Sequence, residues 1–188
     1  GVDALRSHGL RMVGQPPSEW PHLLVLLGDQ VYADDPSPTT RRRLRARRSS
    51  APERIVGGFE EYTWLYREAW QPEIERWLFS VVPTAMIFDD HDVIDDWNIS
   101  AAWVRDIRAA PWWATHIAGA MVSYWIYQHL GNQSPVTIRD EGLLAQLMSV
   151  DDGADILFTW AAASEAATPV AGGYRFSYAR DIDRTRLV

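Results

Sequence analysis

The residues best suited to chemistry in this chain lie in two short stretches. One is Thr84 to Asp96, TAMIFDDHDVIDD, where an apolar run ends abruptly in five aspartates and one histidine. The other is His22 to Asp35, HLLVLLGDQVYADD, which has the same design: an apolar run, then Gly28, Asp29 and further acids. Carboxylates and an imidazole gathered at strand ends suit hard cations, which prefer oxygen donors. Paired cations of this kind bind phosphoryl oxygens and lower the pKa of a bound water, while a nearby acid protonates the departing alcohol. Asp29 on one strand end, with Asp90 and His91 on the other, meets part of that requirement. Taken alone, Gly28-Asp29-Gln30 reads equally well as a plain turn.

Rival motifs fail on spacing. An EF-hand loop starting at Asp90 would need an acid or amide where Ile94 stands and a glycine where Asp95 stands. There is no P-loop, no G-x-S-x-G elbow and no H-E-x-x-H. Aspartates also cap helices. Capping would account for Asp95 or Asp96 but not for His91.

The elements that must position these residues follow from periodicity. Leu23 to Leu27 is apolar without alternation, which predicts a strand buried on both faces. Ala85 to Phe88 is the second strand. In open α/β sheets ligands gather at the carboxyl ends of strands. Helices are expected over ALRSHGLRMV near the N-terminus, Phe59 to Trp70, a segment after Pro72, and Ser100 to Arg108 with Ser100 as cap. Trp113 to Leu130 forms a long buried helix, which Gly131-Asn132 should end in left-handed fashion. Trp112 to Leu130 holds no charged residue, yet His116, Ser123, Gln128 and His129 argue for a protein interior over a membrane span. His116 and His129 are expected to be core or supporting histidines. Residues 36–58 are expected to be a loop, its Arg run a solvated segment or an exposed helix, and 140–149 and 153–167 helical. Residues 168–173 are expected to be a loop, and 174–178 a strand that turns at 181–183 into a partner at 185–188.

Composition sets outer bounds. The chain of 188 residues is long enough for one domain with a core, and 47% of it is apolar. With no cysteine, disulfides and thiolate metal sites are excluded. A formal net charge of -7 argues against nucleic acid as main partner. Against that stands Arg41 to Arg48, with six arginines in eight residues. It reads as a solvated segment, or as an electropositive rim that draws anionic substrate inward. Gly1 to Leu10 lacks the apolar core of a secretory leader, so cytoplasmic and exported locations both stay open. The missing initial Met and the truncated look of TRLV suggest an excerpt of a longer protein, in which exposed strand edges would favour association.

GDQVYAD at 28–34 and FDDHDVIDDWN at 88–98 resemble the PhoD-type alkaline phosphatases, a branch of the calcineurin-like metallophosphatases. FEEYTWLYREAW, SAAWVRD and SYWIYQHLGN extend the likeness over most of 20–135. The resemblance implies an α/β fold: a partial metallophosphatase α/β/β/α sandwich with a helical insertion, residues 1–188 forming a single domain incomplete at both ends. It implies that Asp29 bridges two metals, Tyr32 binds a ferric ion as phenolate, Asp90 is a ligand where related enzymes have Asn, and His91 is the acid or a transition-state stabiliser. Asp95 stands near the place of a family Asn and is a further candidate ligand. Fe3+ and Ca2+ are the implied metals, and a small-molecule phosphoester is the implied substrate. A cysteine-bearing strand end before residue 1 and a late His motif after Val188 would be needed to complete the site, so this piece alone is expected to be inactive. Two other readings stay open: a non-catalytic metal-binding or interaction domain on the same scaffold, and a nucleic-acid phosphodiesterase steered by the Arg run.

Overall fold

The computed structural model describes residues 3–47, 51–165 and 176–188. The two apolar runs become strands β1 (Leu24–Leu27) and β2 (Thr84–Ile87). They pair in parallel, Leu24 opposite Thr84 and Leu27 opposite Ile87. Parallel pairing in this register brings both carboxyl ends to one edge. Gly28-Asp29 and Phe88-Asp89 therefore leave the sheet side by side.

Helix α1 (Ala4–Val13) starts at Asp3, whose carboxylate accepts from the Arg6 N–H at 2.8 Å. The crossover from β1 to β2 carries α2 (Pro38–Ala46), α3 (Phe59–Trp70) and α4 (Glu73–Val81). The expected loop over 36–58 thus holds a helix, started by Ser37, which accepts from Thr40 N–H, and by Pro38 at its first position. Helices α1 and α4 share a small core of Met12, Leu78 and Val82.

The larger core surrounds α6 (Trp113–Tyr124), which is buried continuously from His116 to Tyr124. A helix apolar all round belongs inside. It is flanked by α3, by α5 (Ala101–Arg108, capped by Ser100) and by α10 (Ala154–Glu165). Gly119 permits the α3 contact, because a Cβ there would lie 2.8 Å from the backbone of Gly58 and Phe59. No described helix is long and apolar enough to cross a membrane.

The end of this helix departs from expectation. It passes through a π turn, Trp125–His129, into α7 (Leu130–Asn132), and Gly131 does not take a positive φ. The chain leaves through extended Gln133, and Ser134 then caps α8 (Pro135–Glu141). Gly142, at φ +74, separates α8 from α9 (Leu143–Met148). The wide π turn buries Gln128 and His129 together. It also delivers Asn132 to β2, where its side chain accepts from Met86 N–H at 2.9 Å and donates to Met86 C=O at 2.7 Å. Asn132 thereby occupies the edge of β2 as a neighbouring strand would.

Two strand expectations need correction. β1 is not buried on both faces: Val25 is 41% and Leu27 76% exposed, since the described residues cover only one face and one edge of this strand. The C-terminal pair is β3 (Arg180–Ile182) with β4 (Thr185–Leu187), antiparallel about Asp183 at φ +51. Residues 174 and 175 of the expected strand, the loop over 168–173 and residues 166 and 167 of the expected last helix lie outside the described residues. Phe176 is irregular, and its ring packs on Phe88, Tyr124 and His129. The result is a partial α/β fold with a helical portion after β2.

Candidate metal centre

The β1 end turns sharply. Gly28 has φ +90 and Asp29 φ +51, both left-handed. Gly28 is required twice over, because a Cβ there would also overlap the Cβ of Asp89. The two strand ends are thus in direct backbone-to-side-chain contact. On the β2 side, Asp89 caps a single 3-10 turn, Asp90–Asp92, accepting from Asp90 N–H at 2.9 Å. Capping is therefore the task of Asp89 and Asp92, and not of Asp95 and Asp96.

This geometry brings donor atoms of Asp29, Asp90 and His91 within 4.8 Å of one another. Asp90 also joins a second group with Asp95 and Asp96, again within 4.8 Å. Four of the five sequence-predicted site residues thus meet around Asp90. The fifth, Tyr32, is 44% exposed and lays its ring against that of His91, centroids 4.6 Å apart.

The electrostatics fit a cation. Oδ1 of Asp29 is buried with no hydrogen-bond partner. Burial, and then the charges of Asp89 and Asp90 working against that of His91, raise the Asp29 carboxyl above its ordinary value. Burial, with the charges of Asp29 and Asp34, likewise raises the Tyr32 phenol, so a phenolate there needs a cation beside it. An orphaned carboxylate oxygen among mutually repelling acids is what a hard cation would satisfy, and the donors are oxygen-rich.

His91 is held by a residue that its sequence position does not betray. Both oxygens of Asp34 lie 3.0 Å from its Nδ1, and Asp34 also accepts from Asp95 N–H at 2.7 Å. Nε2 is left facing the site, 3.8 Å from Asp95 Oδ1. Burial pulls the His91 pKa down, but the hydrogen bond and charge of Asp34, joined by Asp29 and Asp90, outweigh it and hold the ring above its ordinary value.

The floor beneath is stitched by backbone. Ala33 N–H donates to His91 C=O, and Val56 N–H to Ala33 C=O, each at 2.9 Å. His116 closes the circuit, with Nδ1 2.6 Å from Val56 O and Nε2 2.8 Å from Val93 O. Two carbonyl acceptors call for a donor on each ring nitrogen, which favours the protonated ring, but burial is the larger effect and pushes its pKa below the ordinary value. His129 is also buried, and burial pushes it down to about 4. Neither belongs to the cluster around Asp90. Asp34 and His116 carry weak sequence signals. The first is one more acid in an acidic stretch, and the second sits on an apolar helix.

Three of the five described arginines of the run are paired with acids. Arg41 pairs with Asp35, Arg45 with Glu53 at 2.6 Å and Arg47 with Glu61, while Arg43 lies over the Trp64 ring at 5.7 Å. Arg48 lies outside the described residues.

An acidic, histidine-bearing cluster at the carboxyl ends of adjacent parallel strands defines a candidate hard-cation site on a partial α/β fold. The chain belongs to the PhoD-like phosphatase family, whose model matches residues 9–138. That span includes both strand ends, α3, α6 and the π turn. Neither the curated proteins nor the solved structures contain a significant match to the chain.

Proposed function

We propose that this chain carries the strand-end half of the active site of a metal-dependent phosphoester hydrolase. The observation that supports this most is the convergence of Asp29, Asp90 and His91 within 4.8 Å, with Asp29 Oδ1 buried and unpartnered. Asp29, Asp90 and Asp95 would hold the cations as hard oxygen donors, and Tyr32 would join as phenolate on the more acidic ion. Fe3+ and Ca2+ are the metals that the family resemblance implies, and the donor set suits both. When bound, such ions neutralise phosphoryl charge and supply hydroxide at neutral pH.

The remaining chemistry belongs to the chain's own groups. Asp34 fixes the His91 ring through Nδ1 and favours its protonated form. Nε2 is then the atom that delivers a proton to the leaving alcohol oxygen. Gly28 and the 3-10 turn keep Asp29 close to Asp90 without a side chain between them. The pairing of Arg41, Arg45 and Arg47 with acids favours a small phosphoester over nucleic acid as substrate. The test is hydrolysis of chromogenic phosphomono- and phosphodiesters by the intact protein carrying this chain, before and after chelation. Turnover that is lost with metal and restored by it supports the reading. A protein with bound metal and no turnover on any ester would leave the scaffold as a metal-binding module.

A further inference from the structure

Asp92 is a buried acid to which the hydrolytic chemistry assigns no part. It is 3% exposed, and no cationic side chain pairs with it among the described residues. A buried carboxylate without a counter-ion is costly unless hydrogen bonds satisfy it. Asp92 has four. Oδ2 accepts from Gln30 N–H at 3.3 Å and from Asp89 N–H at 3.1 Å. Oδ1 accepts from Val31 N–H at 3.2 Å and from Gln128 Nε2 at 3.4 Å. Two of these donors lie in the loop after β1, one in the loop after β2, and one on the π turn.

The donors are placed where position matters. Gln30 follows Asp29 directly, and Asp89 and Asp92 bracket Asp90 and His91. The same Gln128 amide donates to Tyr66 of α3 at 2.9 Å, which ties the carboxylate to the helical core. Against this the cluster carries an opposing force: Asp29, Asp89 and Asp90 repel one another, and Gly28 and Asp29 are held left-handed. Ala33 N–H to His91 C=O and Asp34 to His91 and Asp95 tie the two loops further out, and Asp92 ties them directly beneath Asp29 and Asp90.

We propose that Asp92 is a positioning residue, a clamp that draws the backbones of the two strand-end loops onto one buried carboxylate and so sets the spacing of Asp29 from Asp90 and His91. The clamp's consequence for function rests on the reading of those three residues as a metal centre. The clamp itself is a statement about backbone amides.

Two readouts on the intact protein test it. The first is amide hydrogen exchange at Gln30, Val31 and Asp89, and the second is Mn2+ affinity by calorimetry. Asp92→Asn keeps volume but turns an NH2 group toward backbone donors, and Asp92→Ala removes the clamp. Leu78→Ala, in the separate α1–α4 core, is the stability reference. The expected result is faster exchange at those three amides in both Asp92 variants, and Mn2+ binding weaker by about 10- to 100-fold. Leu78→Ala should melt earlier and keep wild-type affinity. Wild-type protection and affinity in Asp92→Asn would overturn the clamp, as would an equal loss of affinity in Leu78→Ala. Wild-type protein that binds no Mn2+ would overturn the metal-centre reading and the functional consequence with it, and the exchange data would then decide the clamp on their own.

Discussion

Gly28 and Asp89 touch where no side chain could pass between them. A Cβ on Gly28 would overlap the Cβ of Asp89, and the φ of +90 at Gly28 already excludes most residues. The contact joins the ends of β1 and β2 and sets how closely Asp29 approaches Asp90. Gly28→Ala is expected to lower stability by about 2 kcal/mol or more, from left-handed strain plus overpacking. It should also abolish high-affinity cation binding. Urea unfolding and calorimetry would show this, and an unchanged variant would mean that the two loops are not constrained by their contact.

Asp34 governs the proton on His91. Replacing it with Asn removes the charge and one of the two acceptor oxygens that hold the ring above its ordinary value. In Asp34→Asn the His91 pKa is expected to fall, as followed by NMR titration of the metal-free protein. Hydrolysis by the loaded enzyme should lose activity toward alkaline pH sooner than wild type. A ring that titrates as before would show that Asp34 does not set its protonation.

The metal-free chain should be more stable in mild acid. Burial pushes Asp92 up to about 6 from 3.8, so its protonated form favours the folded state. That contribution is complete below about pH 4 and is lost as pH rises to about 6, a difference of ~3 kcal/mol. His91, also raised, adds stability below its unfolded value that is lost as pH climbs through its folded value. Unfolding free energy measured by urea titration should fall across this window and flatten in Asp92→Asn. A rise with pH in wild type, or an unaltered slope in the variant, would contradict the assignment.

Asn132 closes the edge of β2 with a bidentate contact to Met86. Asn132→Ala leaves a backbone N–H and C=O unpaired and is expected to cost ~1–3 kcal/mol. It also frees a strand edge, so self-association measured by light scattering should rise. Equal stability would show that water or another group satisfies Met86.

Much of this arrangement was legible in the residues. Apolar runs that stop at GDQ and DDHD mark two strand ends, whose parallel pairing the fold supplies. Ser100 and Gly28 act as their types suggest. The unreadable part is non-local. Asp34 and His91 are separated by 57 positions, and only the folded loops show that one orients the other. His116 is an ordinary residue on an apolar helix until Val56 and Val93 are seen on either side of it. The π turn has no propensity signal, because the helix is buried nearly all round and a change of face leaves no trace in its apolar pattern. The partial exposure of β1 reflects which neighbours cover it, and a strand's own sequence does not record that.

The central claim is that Asp29, Asp90 and His91 form one metal-dependent hydrolytic site. It is tested most directly by metal analysis and phosphoester turnover on the intact protein and its Asp29→Ala and His91→Ala variants. The account predicts bound metal and turnover in wild type, and loss of both in Asp29→Ala. In His91→Ala it predicts metal largely kept, with turnover reduced by about 10²- to 10⁴-fold. Full metal content and wild-type turnover in Asp29→Ala would contradict it, and so would an intact protein that neither holds metal nor cleaves any phosphoester.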